Sequence, residues 1–286
     1  MQTPIPPSFS LIKKGKVSLL IKEEYRNLLL QQGIGNFEIF LEKSRQSPHY
    51  LKGRMLHPSI SIREGERMVL RQYFHGGLLR MFTGSLYLFG SRSFRELALT
   101  EEIRSSGIRT IQPIAAIRRS ILWPLYQAYF LSLEIAHSKD LTRFFQEIGS
   151  HPSQQNLFHK RKMIRSVGLL LRAFHQSGFF HGDLQLKNIL VVGEQPFLID
   201  FDRSYRKKML SLREKMKNLL RLNRSVEKWR RVGLPITRMD CWRFFLAYAG
   251  DDEEVRKAMG KAIRTYPVRH LFYRLGWAFE KKVRSI

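Results

Sequence analysis

The stretch that decides the fold is HGDLQLKNILVVGEQPFLIDFDR, His181 to Arg203. Its apolar runs ILVV and FLID flank a Gly193-to-Pro196 turn, the pattern of two short strands meeting in a hairpin. Asp183 and Asn188 precede that hairpin, and Asp200 closes it. A carboxylate placed like Asp183 can orient a substrate hydroxyl, while Asn188 and Asp200 supply the hard oxygens that magnesium takes alongside phosphate and water. That combination is the chemistry of phosphoryl transfer. Asp and Asn are also common turn residues, and a lone Asp-x-x-x-x-Asn would mean nothing. The setting supplies the meaning, because an amphipathic helix precedes the motif and paired strands follow it.

Upstream, Met163, Val167, Leu170, Leu171 and Phe174 repeat at helical spacing within Phe158 to Gln176, and Gly178 ends that helix. Nearer the start, Lys22 to Gln32 reads as a short helix closed by Gly33, with a second element over Phe37 to Lys43. LKGRMLHPSISIREGERMVLRQYF then holds two strands meeting at the polar turn Arg63-Glu64-Gly65-Glu66. Ser91 to Ser106 is a helix closed by Gly107, on which Glu96 can face the preceding strand. Strands over Ile111 to Ile117 and Leu125 to Ile135 follow, and Asp140 opens another helix. Five strands and one helix make a small lobe. Downstream, Lys207 to Arg231 and Met239 to Ala249 are helical, separated by Gly233 and Pro235. The boundary is expected between 136 and 137.

Two glycine signals stay open in this reading. Gly53, before the first strand of the hairpin, marks either a backbone approach to phosphates or an ordinary turn. HGGLL, with Gly76 and Gly77, either brings backbone amides or His75 near an acceptor or is a plain strand-to-loop turn.

Composition narrows the partners. The 286 residues carry 50 Lys and Arg against 24 Asp and Glu, a net charge of +26, so an anionic partner is implied. Zinc spacing, an aromatic RNA-binding signature and a basic zipper are all missing, which ranks nucleic acid low. A single cysteine, Cys241, excludes an intrachain disulfide framework. MQTPIPPSFSLIKKGK lacks the apolar core of a secretion signal and reads as a loose leader, so no export is expected. Ser120 to Leu133 is uncharged but too short to span a bilayer, contains Pro124, and reads as buried strands. Any membrane association is therefore expected to be peripheral. Trp123, Trp229, Trp242 and Trp277 read as packing or surface groups.

HGDLQLKNIL followed by LIDFD resembles the catalytic loop and metal-binding motif of the protein-kinase-like fold, in the His-x-Asp version used by small-molecule and sugar kinases. LRQYFHGGLL, the FRE of the following helix and NLLRLNRSVEKW further resemble the lipopolysaccharide core kinases, specifically those acting on 3-deoxy-D-manno-octulosonic acid (Kdo). The resemblance covers roughly Gly53 to Arg231.

The resemblance implies an α+β, protein-kinase-like two-lobed fold. It has a small antiparallel-sheet N-lobe with one key helix (1–136) and a larger, mainly helical C-lobe (137–286). It implies ATP and Mg2+, with Asp183 accepting the substrate hydroxyl's proton, His181 positioning the loop and Lys187 reaching the transferred phosphate. Met68-Val69-Leu70-Arg71 stands where protein kinases have Val-Ala-Ile-Lys, so Arg71 would hold the nucleotide phosphates and pair with Glu96. Asp202 either binds a second metal or the acceptor, or caps a loop. Between Arg203 and Arg231 stand 12 Lys or Arg against Glu214 and Glu227 alone, a face suited to Kdo-lipid A and to an anionic inner leaflet. Arg221, Arg224 and Ser225 are its substrate-side candidates. The expected activity is phosphorylation of a Kdo hydroxyl at the cytoplasmic face of the bacterial inner membrane. The alternatives are a heptose or other small-molecule kinase of the same fold, and a non-catalytic basic adaptor for membrane or RNA.

Overall fold

The computed structural model describes residues 4–52, 56–75 and 84–264. In order these form β1 (Phe9–Lys14), β2 (Val17–Lys22), α1 (Arg26–Gln31), α2 (Phe37–Arg45), β3 (Tyr50–Lys52), β4 (Leu56–Arg63), β5 (Glu66–Gln72), β6 (Tyr87–Leu88) and α3 (Arg92–Ser105). Next come β7 (Pro113–Leu122), β8 (Leu125–Leu133), β9 (Lys139–Asp140), α4 (Leu141–Ile148), α5 (Gln154–Gln176) and β10 (Phe179–Phe180). The last are β11 (Ile189–Val192), β12 (Gln195–Leu198), β13 (Tyr205–Arg206), α6 (Leu212–Arg230), α7 (Arg238–Ala249) and α8 (Glu253–Arg264). Two compact units result. One is Met1–His137 with Leu198–Ser204, the other Ser138–Phe197 with Tyr205–Ile286.

The first unit is built on an antiparallel sheet in the order β1-β2-β7-β8-β5-β4-β3, with β6 paired to β8. Alternation of side chains along the strands gives it two apolar faces. Leu19, Ile21, Met68, Leu70, Ile117, Tyr129 and Leu131 pack with Leu29, Phe37 and Phe40 from the helical segment between β2 and β3. Leu20, Ala116, Ala128 and Phe130 face the other way and pack with Leu97 of α3.

Three expectations change here. Residues 9–14 are a strand rather than a loose leader, because Phe9–Lys14 pairs along its length with Val17–Lys22 and Phe9 enters the core. The sheet holds eight strands where five were expected. Ser120 to Leu133 is buried only in part: Leu122 is 71% and Trp123 83% exposed at the β7–β8 turn. Hydrophobic composition there covers both an exposed hairpin tip and the buried strand that follows it, with Tyr126, Ala128, Tyr129, Phe130 and Leu131 in the core.

The second unit is mainly helical. Asp140 caps α4 by accepting from the Thr142 and Arg143 amides, and Ser153 caps α5. Lys207 to Ser211 were expected to be helical; instead Tyr205–Arg206 pairs with Phe179–Phe180, and α6 begins only at Leu212. The side chains of Ser211 and Glu214 form a reciprocal capping box, so the helix starts where its exposed amides first find partners. Gly178 takes φ +82° between α5 and β10, and a Cβ there would run into the Lys207 carbonyl oxygen. Gly168 lets α5 and α7 approach: its Cβ would lie 2.8 Å from the Ala247 Cβ. The buried Lys160 ammonium joins the same helices through Asp240 at 2.6 Å.

Candidate active site

In the first unit, strand periodicity places a cation. Met68 and Leu70 point into one core, so Arg71 and Tyr73 point the other way, toward α3. Arg71 bridges two carboxylates: one Nη binds Glu96 and the other donates to Asp200 Oδ1 at 2.6 Å. The Tyr73 hydroxyl donates to the second Glu96 oxygen and accepts from Arg71 at 3.1 Å. The guanidinium also lies 4.7 Å from the Tyr73 ring centroid and 5.4 Å from that of Phe130.

Burial opposes the charge on Arg71, but Glu96, Tyr73 and Asp200 outweigh it and hold its pKa well above the ordinary value. Burial likewise pushes the Glu96 carboxyl up, against the pull of Arg71. His57, on β4, is driven down to about 4 by burial and by Arg71, with Asp200 pulling the other way, so it is neutral at physiological pH.

Residues 198–204 join this unit through Leu198 N, which donates to Arg109 O at 3.0 Å, and Leu198 O, which accepts from Thr110 Oγ1 at 2.7 Å. Asp200 sits at φ 66°, a left-handed conformation that aspartate tolerates better than most residues. Asp202 is held by Arg92, whose Nε donates to Oδ1 at 2.5 Å and whose Nη2 binds Oδ2. Both carboxylates of the LIDFD segment therefore engage arginines. His75 is tied to the strand side: its Nε2 is 2.8 Å from Leu86 O and its ring stacks 4.3 Å from Tyr87. Gly53, Gly76 and Gly77 lie outside the described residues.

In the second unit one stripe of α6 follows the His181–Asn188 loop step by step. Asn218 donates to His181 O at 2.9 Å and accepts from His181 N at 3.0 Å. Arg221 donates through Nε and Nη2 to Asp183 Oδ1 at 2.9 and 2.6 Å. Ser225 accepts from the Leu186 amide at 3.2 Å, and the Lys187 ammonium lies 5.1 Å from the Trp229 ring centroid. Positions 218, 221, 225 and 229 fall on one helical face, so a rigid helix tracks an irregular loop.

Inside the loop, His181 is fully buried and its Nδ1 accepts from the Asp183 amide at 3.0 Å. Gln185 donates to Asp183 Oδ2 at 2.9 Å, so both oxygens of the half-exposed carboxylate accept hydrogen bonds. Asn188 donates through Nδ2 to Asp183 O at 2.8 Å, which commits the amide nitrogen to the loop and leaves Oδ1 as the side chain's hard-oxygen donor. Arg224 is exposed on α6.

For magnesium, the donor chemistry fits: Asp200 contributes an anionic hard oxygen in the first unit and Asn188 a neutral one in the second. Among the described residues no group of three or more His, Cys, Asp or Glu could hold a metal ion by itself. Phosphate and water would complete any magnesium shell. His57 was not singled out from the sequence; Tyr73 and Asn218 stood in the family-like stretches without an assigned role, and Trp229 was read as a packing or surface group. The helical spacing of Asn218, Arg221, Ser225 and Trp229 within NLLRLNRSVEKW was a further signal.

A family model described as the lipopolysaccharide kinase (Kdo/WaaP) family matches residues 47–248. A 3-deoxy-D-manno-octulosonic acid kinase of Photobacterium damsela subsp. piscicida is 32% identical over 172 residues, covering 58% of this chain and 67% of that protein. One of Vibrio vulnificus (strain YJ016) is 34% identical over 168 residues, covering 56% and 65%. The chain thus matches about two thirds of the length of these relatives. Among solved structures, WaaP in complex with acyl carrier protein is similar in fold, with a TM-score of 0.56 at 18% identity over 86% of this chain and 98% of that one. The α+β, protein-kinase-like architecture expected from the motifs is therefore the one observed. The matched residues contain Arg71, Glu96, the His181–Asn188 loop, Asp200 and the α6 stripe, and the chain belongs to the lipopolysaccharide kinase (Kdo/WaaP) family.

Proposed function

We propose that this chain transfers the γ-phosphate of ATP to a hydroxyl of Kdo in the lipopolysaccharide inner core, with Kdo-lipid A as acceptor, at the cytoplasmic face of the inner membrane. Membership of the family makes it a phosphotransferase acting on a hydroxyl of that core. The observation that carries the site assignment is the Asp183 carboxylate, held by Arg221 and Gln185 on a loop fastened to α6. Phosphoryl transfer has a loose transition state, so alignment and charge neutralisation do most of the work.

In this reading Asp183 accepts a hydrogen bond from the acceptor hydroxyl and takes its proton late in the transfer. His181 positions the loop through its bond to the Asp183 amide. Lys187, resting against Trp229, swings to the transferred phosphate. Arg71, aligned by Glu96, meets the nucleotide phosphates, and Asp200 and Asn188, one in each unit, would each offer a hard oxygen to Mg2+, which when bound would neutralise phosphate charge. Arg221 and Arg224 face the acidic acceptor. Asp202 serves the fold through Arg92.

Purified protein, ATP, Mg2+ and Kdo-lipid A should yield a product heavier by one phosphate in mass spectrometry. Asp183→Ala should lower the rate by about a hundredfold or more, as for loss of a positioned acid-base group. A folded enzyme that phosphorylates heptose-containing acceptors but leaves Kdo-lipid A untouched would move the assignment to heptose. A wild-type protein that binds anionic membrane or RNA but transfers no phosphate, with binding unchanged in Asp183→Ala, would support the adaptor reading instead.

A further inference from the structure

The described residues carry one concentrated apolar protrusion in the first unit. At the β7–β8 turn Trp123 is 83% and Leu122 71% exposed, and beside it Leu88 and Phe89 are 65% and 62% exposed. They form one cluster: Leu88 pairs with Leu125, Phe89 N donates to Pro124 O at 3.3 Å, and the Phe89 and Trp123 rings meet edge to face at 6.1 Å. Leaving four large apolar side chains in water is unfavourable, so the patch marks an interaction surface. Phe89 moreover sits at φ 51°, a left-handed conformation that is costly for a bulky side chain. Strain that keeps an aromatic ring in solvent points to a use for the ring.

The surroundings decide which partner fits. The β1–β2 turn runs alongside, since Val17 pairs with Arg119 and Ser120 N donates to Lys16 O at 2.8 Å. Lys13, Lys14 and Lys16 on that turn are exposed. Arg118 braces the tip, donating to Gly90 O at 3.0 Å and to Ser120 Oγ at 2.9 Å. Neither 84–95 nor 113–133 contains an Asp or Glu. A convex tip of Trp, Phe and Leu with a cationic collar matches an anionic lipid surface, where aromatic rings settle at headgroup level and lysines meet acidic lipids.

We propose that Leu88, Phe89, Leu122 and Trp123 insert into the interface of an anionic bilayer while Lys13, Lys14 and Lys16 bind its headgroups. This deepens the membrane location proposed above by naming the surface. It requires no particular acceptor.

The test is co-sedimentation of the full chain with phosphatidylglycerol–phosphatidylcholine vesicles and with pure phosphatidylcholine vesicles. Wild type should bind the anionic vesicles. Leu122→Ser/Trp123→Ser should weaken that binding by about tenfold or more, from the apolar area withdrawn. Lys13→Glu/Lys14→Glu/Lys16→Glu should weaken it by about fivefold or more per lysine and reduce the salt dependence of what remains. Bromine-labelled lipid should quench tryptophan emission in wild type and much less in Trp123→Phe. Both multiple variants change exposed residues, and matching melting curves would show them folded. Wild-type binding by the folded Leu122→Ser/Trp123→Ser variant overturns the proposal. So does a tip variant that loses self-association or capture of a soluble protein while keeping lipid binding. Because the readout is lipid partition, phosphorylation of a water-soluble Kdo acceptor reports separately on the catalytic assignment.

Discussion

Asn218→Ala tests whether α6 positions the His181–Asn188 loop. The side chain is fully buried and makes two hydrogen bonds to the His181 backbone, at 2.9 and 3.0 Å, and a third contact to His175 Nε2 at 3.1 Å. Removing one partner of a buried hydrogen bond costs about 1–3 kcal/mol per group, so two lost backbone bonds amount to about 2–6 kcal/mol, with water filling the space at the low end. At about 3 kcal/mol the melting temperature should fall by roughly 6–12 °C. The loop would also lose its anchor two residues before Asp183. A displacement of about 1 Å there should lower kcat on the order of a hundredfold while KM for ATP changes little. Asn218→Asp, which keeps the acceptor for His181 N but not the donor for His181 O, should fall between wild type and Ala. Thermal melts and steady-state kinetics at a temperature where each variant is folded provide both readouts. Unchanged stability would refute the hydrogen-bond reasoning, and lowered stability with unchanged kcat would refute the positioning role.

Further outcomes follow from the same packing. Gly178→Ala combines a left-handed φ of +82° with a collision against the Lys207 carbonyl, and should cost about 2–4 kcal/mol in urea unfolding. Gly168→Ala, whose new methyl would lie 2.8 Å from the Ala247 Cβ, should cost about 1–3 kcal/mol and leave kcat of the folded enzyme intact. The His175 pKa is driven down to about 4 by burial, against an unperturbed 6.5, so the ring is neutral in the folded state and binds a proton more readily when unfolded. Its contribution is therefore complete above pH 6.5 and is lost as pH falls toward 4, by up to about 3 kcal/mol. The urea midpoint should drop across that window in wild type and drop less in His175→Gln.

How much was legible before the fold was known depended on the range of the interaction. The loop residues His181, Asp183 and Asn188 lie within eight positions, so their spacing alone implies a shared site. Gly178 and Asp140 are also local signals, one answering a positive φ and the other a set of open helix amides. Arg71 and Glu96 were paired only through resemblance, and the strand and helix that bring them together also bring in Tyr73, to which the motif around it assigned no role. In the apolar run from Ser120 to Leu133 the expected buried strand is there from Tyr126 to Ser132, but composition did not distinguish it from the exposed hairpin tip at Leu122 and Trp123.

By itself, the sequence determined the excess positive charge and the phosphotransfer chemistry, which depend on residue identity and short spacing, and through its resemblance to the kinase family it implied the α+β class. Tertiary structure alone decided that the Pro-rich start continues into a paired strand, and that both LIDFD carboxylates bind arginines of the first unit. It also decided that α6 grips the loop from 37 positions away at Asn218 and that Trp123 stands in solvent. The physical reason is common to these cases. Each depends on which surfaces meet when distant segments pack, and packing is settled by the burial of the whole chain rather than by any stretch of it.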